Sequence, residues 1–170
     1  MNRMTQIFAA TLTVGALLAA TAADARTGRV KVRGTNGVAS AAAGPNGGAV
    51  VRGRGWKQNS DGSVTAASGG AFRTPSGAIG GRASTTTVNP DGSATHSGGF
   101  AAQGPNGAVK SQGSVARSAD GTWSGGRSTS ATNANTGNSY EGSTTIDPAT
   151  GKPVHTGTCY DANGNAYSCR

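Results

Sequence analysis

Two histidines, two cysteines and one glutamate are most of the conventional chemical vocabulary of this 170-residue chain. His96 and His155 have no serine in a nucleophile-elbow pattern to activate, and no spacing pairs two carboxylates. A triad or an acid–base pair therefore lacks a scaffold, so no catalytic residue is assigned and no enzyme activity is expected. Asp161-x-Asn163-x-Asn165 has the first half of a calcium loop without the glutamate that completes it. It reads as turn chemistry, and neither a metal nor a cofactor is expected. The glycine-rich segments lack the Gly-Lys-Ser/Thr ending of a phosphate loop, and no small-molecule substrate is indicated. Two constellations remain. Arg52, Arg54, Arg82 and Lys110 are interleaved with Trp56 and Phe100, cations beside aromatic faces, as contact with an anionic polymer requires. Cys159 and Cys169 are the only cysteines and are predicted to form a disulfide.

The disulfide expectation rests on export. Arg3 precedes an apolar run from Ile7 to Ala20, and Ala23-Asp24-Ala25 then presents small residues in the spacing a signal peptidase reads. Residues 1–25 are expected to be a cleaved leader, since the apolar run is shorter than the roughly 18–20 residues of a membrane span. The protein after cleavage is not expected to span a membrane. An outer-membrane barrel is disfavoured, because arginines fall in mid-strand and no apolar band faces lipid. The expected location is the periplasm, the cell surface or the extracellular space.

Beyond the leader there is no Leu or Met, and Gly, Ala, Ser and Thr fill most positions. A core of packed aliphatic side chains cannot be built from such residues, so either part of the chain is disordered or backbone pairing and close packing of small side chains carry the fold; low charge density and the regular turn spacing favour the second. The formal net charge is +8, and the acids cluster in turn positions while the bases lie between them. Arg26, Arg29, Lys31, Arg33, Arg52, Arg54 and Lys57 all precede the first acid after the leader, Asp61. That polarity suits lipopolysaccharide, acidic polysaccharide or extracellular nucleic acid as partner; keeping a glycine-rich chain soluble is the other use for it.

These side chains are positioned by a beat. Six turn signatures close on Gly47, Gly62, Gly77, Gly92, Gly107 and Gly121, at intervals of 15, 15, 15, 15 and 14 residues. Proline opens four of them, and those at 45, 75 and 105 recur at a second period of 30. Regular spacing of this kind marks an array of one supersecondary unit. Pro-Asp-Gly and Pro-Asn-Gly fit three-residue hairpin loops with glycine in the left-handed bulge position. The predicted fold is all-β, an antiparallel meander of long hairpins. The competing arrangement is a β-solenoid with 30-residue coils, in which residues i and i+30 stack. Residues 26–43 read as a basic N-terminal segment, 44–132 as the array, and 133–170 as a loop-rich tail closed by a terminal hairpin.

If every loop has three residues, even-numbered side chains share one face throughout. That face collects Arg52, Arg54, Trp56, Arg82, Phe100 and Lys110, with the row Arg52, Gly70, Arg82, Phe100, Gln112. Arg82 then stands opposite Phe100, a cation–π arrangement of about 0.5–1 kcal/mol, and Phe72 stands over Gly80. The odd face is a band of Gly, Ala and Ser, smooth enough for close approach of another sheet, from this chain or a second copy. Two functions follow. One is a non-enzymatic structural protein of a bacterial cell surface or matrix, self-associating through the small-residue face or strand edges. The other is a monomeric binding module whose Arg/aromatic face grips an anionic polysaccharide or another polyanion.

Overall fold

The computed structural model describes residues 28–169. The expected leader and Arg26 lie outside the described residues. Eleven strands form one open antiparallel sheet in strict sequence order, with no helix among the described residues. They are β1 (Gly28–Gly34), β2 (Gly37–Ala43), β3 (Ala49–Gln58), β4 (Val64–Arg73), β5 (Ile79–Val88) and β6 (Ala94–Gly104). The sheet continues with β7 (Gly107–Arg117), β8 (Trp123–Asn133), β9 (Ser139–Ile146), β10 (Pro153–Tyr160) and the two-residue β11 (Ala166–Tyr167). The meander is thus the arrangement adopted, and the solenoid is not. Residues 30 apart, such as Arg52 and Arg82, lie two strands apart in one sheet, joined through Gly70. The basic segment supplies β1 and β2, and the tail supplies β9 to β11.

The glycine of each three-residue loop is left-handed, at φ 79° for Gly47, 82° for Gly62, 87° for Gly77 and 82° for Gly92. Paired flanking residues close these loops, as in the bonds from Asn59 N to Ser63 O and from Asn89 N to Ser93 O. Where the signature reads Asp-Gly-Ser, the turn is locked from inside. The amide and hydroxyl of Ser63 both donate to Asp61 Oδ1, at 2.9 and 2.7 Å, and Ser93 repeats this on Asp91 at 2.8 and 2.7 Å. Asp120 Oδ1 accepts the Thr122 amide at 2.9 Å in the same manner.

The turn at Pro105-Asn106-Gly107 departs from the expectation. Gly104 pairs with Gly107, so the loop has two residues and Gly107 becomes the first residue of β7. The 14-residue interval leaves only eleven residues between Gly107 and the next signature, and taking Gly107 into the strand matches β7 to the eleven residues of β6 and β8. The carbonyl of Asn106 is meanwhile captured by the Ala134 amide beyond β8, at 3.0 Å. One residue of register reverses the faces of a strand. In β7 and β8, odd-numbered side chains therefore join the even-numbered ones of β3 to β6, and the β8–β9 turn switches the parity back. Phe100 faces Ser111 rather than Gln112, and Lys110 pairs with Ala101 on the opposite face from Arg82.

The sheet is one layer thick. Every substantial strand–strand contact is between sequence neighbours, and the chain places no second sheet on either face among the described residues. Ala41 is the one buried apolar residue described, while Trp56, Phe72, Phe100 and Trp123 are exposed. Stability must come from the hydrogen-bond ladder and from local covering. Phe72 lies across Gly80, as its register predicts: a Cβ there would sit 2.7 Å from the ring. Tyr140 does the same for the Gly142–Gly157 pair. At the C-terminal end Cys159 and Cys169 are disulfide-bonded with Cα atoms 5.4 Å apart. By loop entropy a ring of this size contributes about 2–3 kcal/mol.

Candidate functional site

Two of the changes of parity, at the β1–β2 and β6–β7 turns, assemble the site. The β1–β2 turn, Thr35-Asn36, also has two residues, since Gly34 pairs with Gly37. Odd residues of β1 therefore share a face with even residues of β3. Arg29, Lys31 and Arg33 stand on the face of Arg52, Arg54 and Trp56. Past the second parity change, Arg117 and Arg127 arrive on that face as well. Among the described residues it carries eight strand cations and no strand carboxylate. Lys57, Lys110 and Arg73 lie on the other face, as does Glu141, the sole glutamate.

Of the residues expected to act together, Arg52, Arg54, Trp56, Arg82 and Phe100 do share a face, and Lys110 does not. The register also orders the cations. One row across the strands reads Lys31, Ser40, Arg52, Gly70, Arg82, Phe100, Ser111. Cations thus occupy β1, β3 and β5, with small residues on β2 and β4. The adjacent row reads Arg33, Val38, Arg54, Ser68, Ser84, Gly98, Gly113, Arg127.

Phe100 does face Arg82 in the ladder, but the guanidinium that stands over its ring belongs to Arg127, 5.9 Å from the centroid. Arg127 reaches there by leaning on Ser111, donating from Nε to Ser111 Oγ at 2.6 Å. Ser111 is fully buried, and its hydroxyl also engages Thr129 Oγ1 at 2.8 Å and Ser128 O at 3.1 Å. The arginine is thereby pre-positioned over an aromatic face, which holds a cation at about 0.5–1 kcal/mol in an exposed setting. Arg117 and Arg73 are committed elsewhere, bonding loop carbonyls of Gly92 and Gly47.

Two adjoining depressions mark the cationic face. One, of about 660 Å³, has the glycine floor Gly98, Gly113 and Gly125 between Phe100–Arg127 and His96–Val115. The other, of about 680 Å³, is walled by Lys31, Arg33, Arg54 and Trp56. They meet at Ser68 and Ser84, whose hydroxyls are hydrogen-bonded at 3.0 Å. His96 borders the first, its Nδ1 2.8 Å from the hydroxyl of Thr86, its cross-strand partner. His155 is held between Thr144 Oγ1 at 3.0 Å and the Tyr140 hydroxyl at 3.1 Å.

The acids are placed apart. Asp61, Asp91, Asp120 and Asp147 follow odd-numbered strands, so all four turns lie at one end of the sheet. Their carboxyls are held below the ordinary value: Asp61 and Asp91 foremost by the hydroxyls of Ser63 and Ser93, Asp120 and Asp147 foremost by the amides of Thr122 and Ala149. These carboxylates are ionised at neutral pH, and they share that end with Arg117, which bonds Gly92 O, and Lys152, whose carbonyl closes the Asp147 turn. Asp161, at the opposite end, is turn chemistry as expected: Oδ1 accepts the amides of Asn163 and Asn165, and Oδ2 the Asn165 side chain. The described residues contain no group of three His, Cys, Asp or Glu able to hold a metal.

Arg127, Ser111 and the β1 cations escape sequence reasoning because their face depends on the two short loops. No protein-family model matches the chain, and no curated protein or solved structure matches it either. Among the described residues no helix is long and apolar enough to cross a membrane.

Proposed function

We propose that this is an exported, non-enzymatic protein of a cell surface or extracellular matrix whose cationic face binds anionic polymers. The observation that carries this reading is the segregation of charge: eight strand cations on one face, no carboxylate among them, and depressions lined by Trp56, Phe100 and Arg127. A soluble chain that needed charge only for dispersal would gain nothing from sorting it by face. Binding of this kind releases counterions and weakens steeply with salt. Dextran sulfate titrated into the purified protein is expected to bind at low ionic strength and to be lost at moderate ionic strength. The double change Arg52→Gln and Arg54→Gln is expected to weaken binding about tenfold, at roughly 0.5–1 kcal/mol per exposed contact. Lys110→Gln, on the other face, is expected to leave it unchanged. Equal losses from both faces would overturn the reading.

The second reading is structural self-association. Its support is the uncovered small-residue face, where Gly53, Gly69, Ala83 and Gly99 form one row and Val51, Ala71, Gly81 and Ala101 the next. Sheet stacking persists or strengthens with salt, so sedimentation of the protein at rising sulfate concentration separates the two readings.

A further inference from the structure

The cationic face is periodic, and the period selects among polyanions. Lys31, Arg52 and Arg82 occupy one row on β1, β3 and β5, so adjacent charges are two strands apart, about 10 Å. The strands between carry Ser40 and Gly70 in that row. Between Arg52 and Arg82 the spacing follows from the 30-residue repeat, and Lys31 enters the same row through the short β1–β2 hairpin. The neighbouring row carries Arg33 and Arg54 on β1 and β3, then Arg127 on β8. From β1 to β8 the face crosses seven interstrand gaps, about 34 Å.

A polymer lying on this face has two directions open to it. Along the strands the cations it meets are confined to one strand and lie about 7 Å apart, as at Arg29, Lys31 and Arg33 or at Arg52 and Arg54, with Arg82 alone on β5. Across the strands it meets a cation at every second step from β1 to β5 and then the aromatic face of Phe100 in the same row. A hexose in an extended polysaccharide advances by about one interstrand distance. The ladder therefore matches a chain whose anionic group recurs on alternate sugars. The sugars between would rest against Ser40 and Gly70, where a charge would find no partner. Single-stranded nucleic acid, charged at every nucleotide, places phosphates out of step with such a ladder.

We infer that the cationic face recognises an acidic polysaccharide with one anionic group per disaccharide, running perpendicular to the strands along Lys31, Arg52 and Arg82. This rests on the polyanion-binding reading and deepens it. The test compares three probes on the purified protein at fixed low salt: hyaluronan oligosaccharides (one carboxylate per disaccharide), oligogalacturonate with the same number of carboxylates (one per sugar), and oligo(dT) of equal charge. The expected result is tightest binding of the hyaluronan probe, with Arg82→Gln weakening it about threefold, the scale of one exposed ion pair. Ser40→Lys fills the gap between Lys31 and Arg52. It is expected to strengthen oligogalacturonate binding about threefold while adding little for hyaluronan. If all three probes bind with equal affinity, or oligo(dT) binds best, the disaccharide ladder is refuted while polyanion binding stands. If none binds, both readings fall.

Discussion

Pro45-Asn46-Gly47 and Pro105-Asn106-Gly107 share a tripeptide and make different turns. At the first, Gly44 pairs with Gly48 and the loop keeps three residues, with Gly47 left-handed at φ 79°. At the second, Gly107 leaves the loop for β7 at φ 141°. The difference lies outside the tripeptide. Arg73 Nε donates to the Gly47 carbonyl at 3.3 Å and holds that loop open, whereas the Ala134 amide draws the Asn106 carbonyl into a ladder with the end of β8. Neither turn carries an internal lock, because Gly48 and Ala108 stand where Ser63 and Ser93 donate to an aspartate. A turn without its own lock takes its length from its neighbours.

The largest test of that contrast is alanine at the two glycines. A Cβ on Gly107 would collide with the Thr132 carbonyl, while one on Gly47 meets only the tip of Arg73, 3.7 Å away. Gly107→Ala is expected to cost about 3 kcal/mol, combining backbone strain with a collision that a strand must absorb. Gly47→Ala is expected to cost about 1 kcal/mol, for the left-handed conformation alone. Chemical denaturation measures both, and equal losses would mean that the two turns are alike in solution.

A smaller effect should follow from giving the second turn a lock. Asn106→Asp with Ala108→Ser recreates Asp-Gly-Ser, adding two hydrogen bonds of about 1 kcal/mol each in favour of a three-residue loop. The competing terms are strand matching and the bond from Ala134. The native register pairs Ala101 with Lys110; the slipped one pairs Ala101 with Ser111. Cysteine pairs at 101/110 and 101/111 are expected to cross-link in the first combination alone in the parent, and in both once the lock is present. If 101/111 stays unlinked, strand length alone sets this loop.

The smallest effect is on acid stability. Asp61, Asp91 and Asp120 have depressed folded pKa values, so their contribution is complete above the unfolded value near 3.9 and is lost as pH falls through the lower folded values. Melting temperature is expected to fall below about pH 4. Asparagine at these three positions keeps the acceptor and removes the titration, so the triple variant should flatten that fall. An unchanged pH profile would show that the locks do not govern acid sensitivity.

The hairpins from Gly44 to Gly104 were legible in the sequence because each loop there has three residues, so parity is conserved and Arg52, Gly70, Arg82 and Phe100 could be placed in one row. What could not be read was the loop that changes length. The collision of an 11-residue segment with 12-residue neighbours was visible in the 14-residue interval, but its resolution needed β8 alongside. Lys110 was misplaced for that reason, and Arg127 was missed for the same one. The Asp-Gly-Ser/Thr pattern at Asp61, Asp91 and Asp120, set against Asn106-Gly107-Ala108, was the available signal.

The absence of a second layer also sets how this protein responds to temperature. The heat-capacity change of unfolding comes mainly from newly wetted apolar surface, and here the large apolar side chains such as Trp56, Phe72, Phe100 and Trp123 are already about half exposed in the native sheet. The stability curve should be correspondingly flat: little loss on cooling, and a melting enthalpy that drifts slowly with temperature. A fold held by its ladder rather than its interior keeps much the same strength across the range in which core-built domains pass through their maximum.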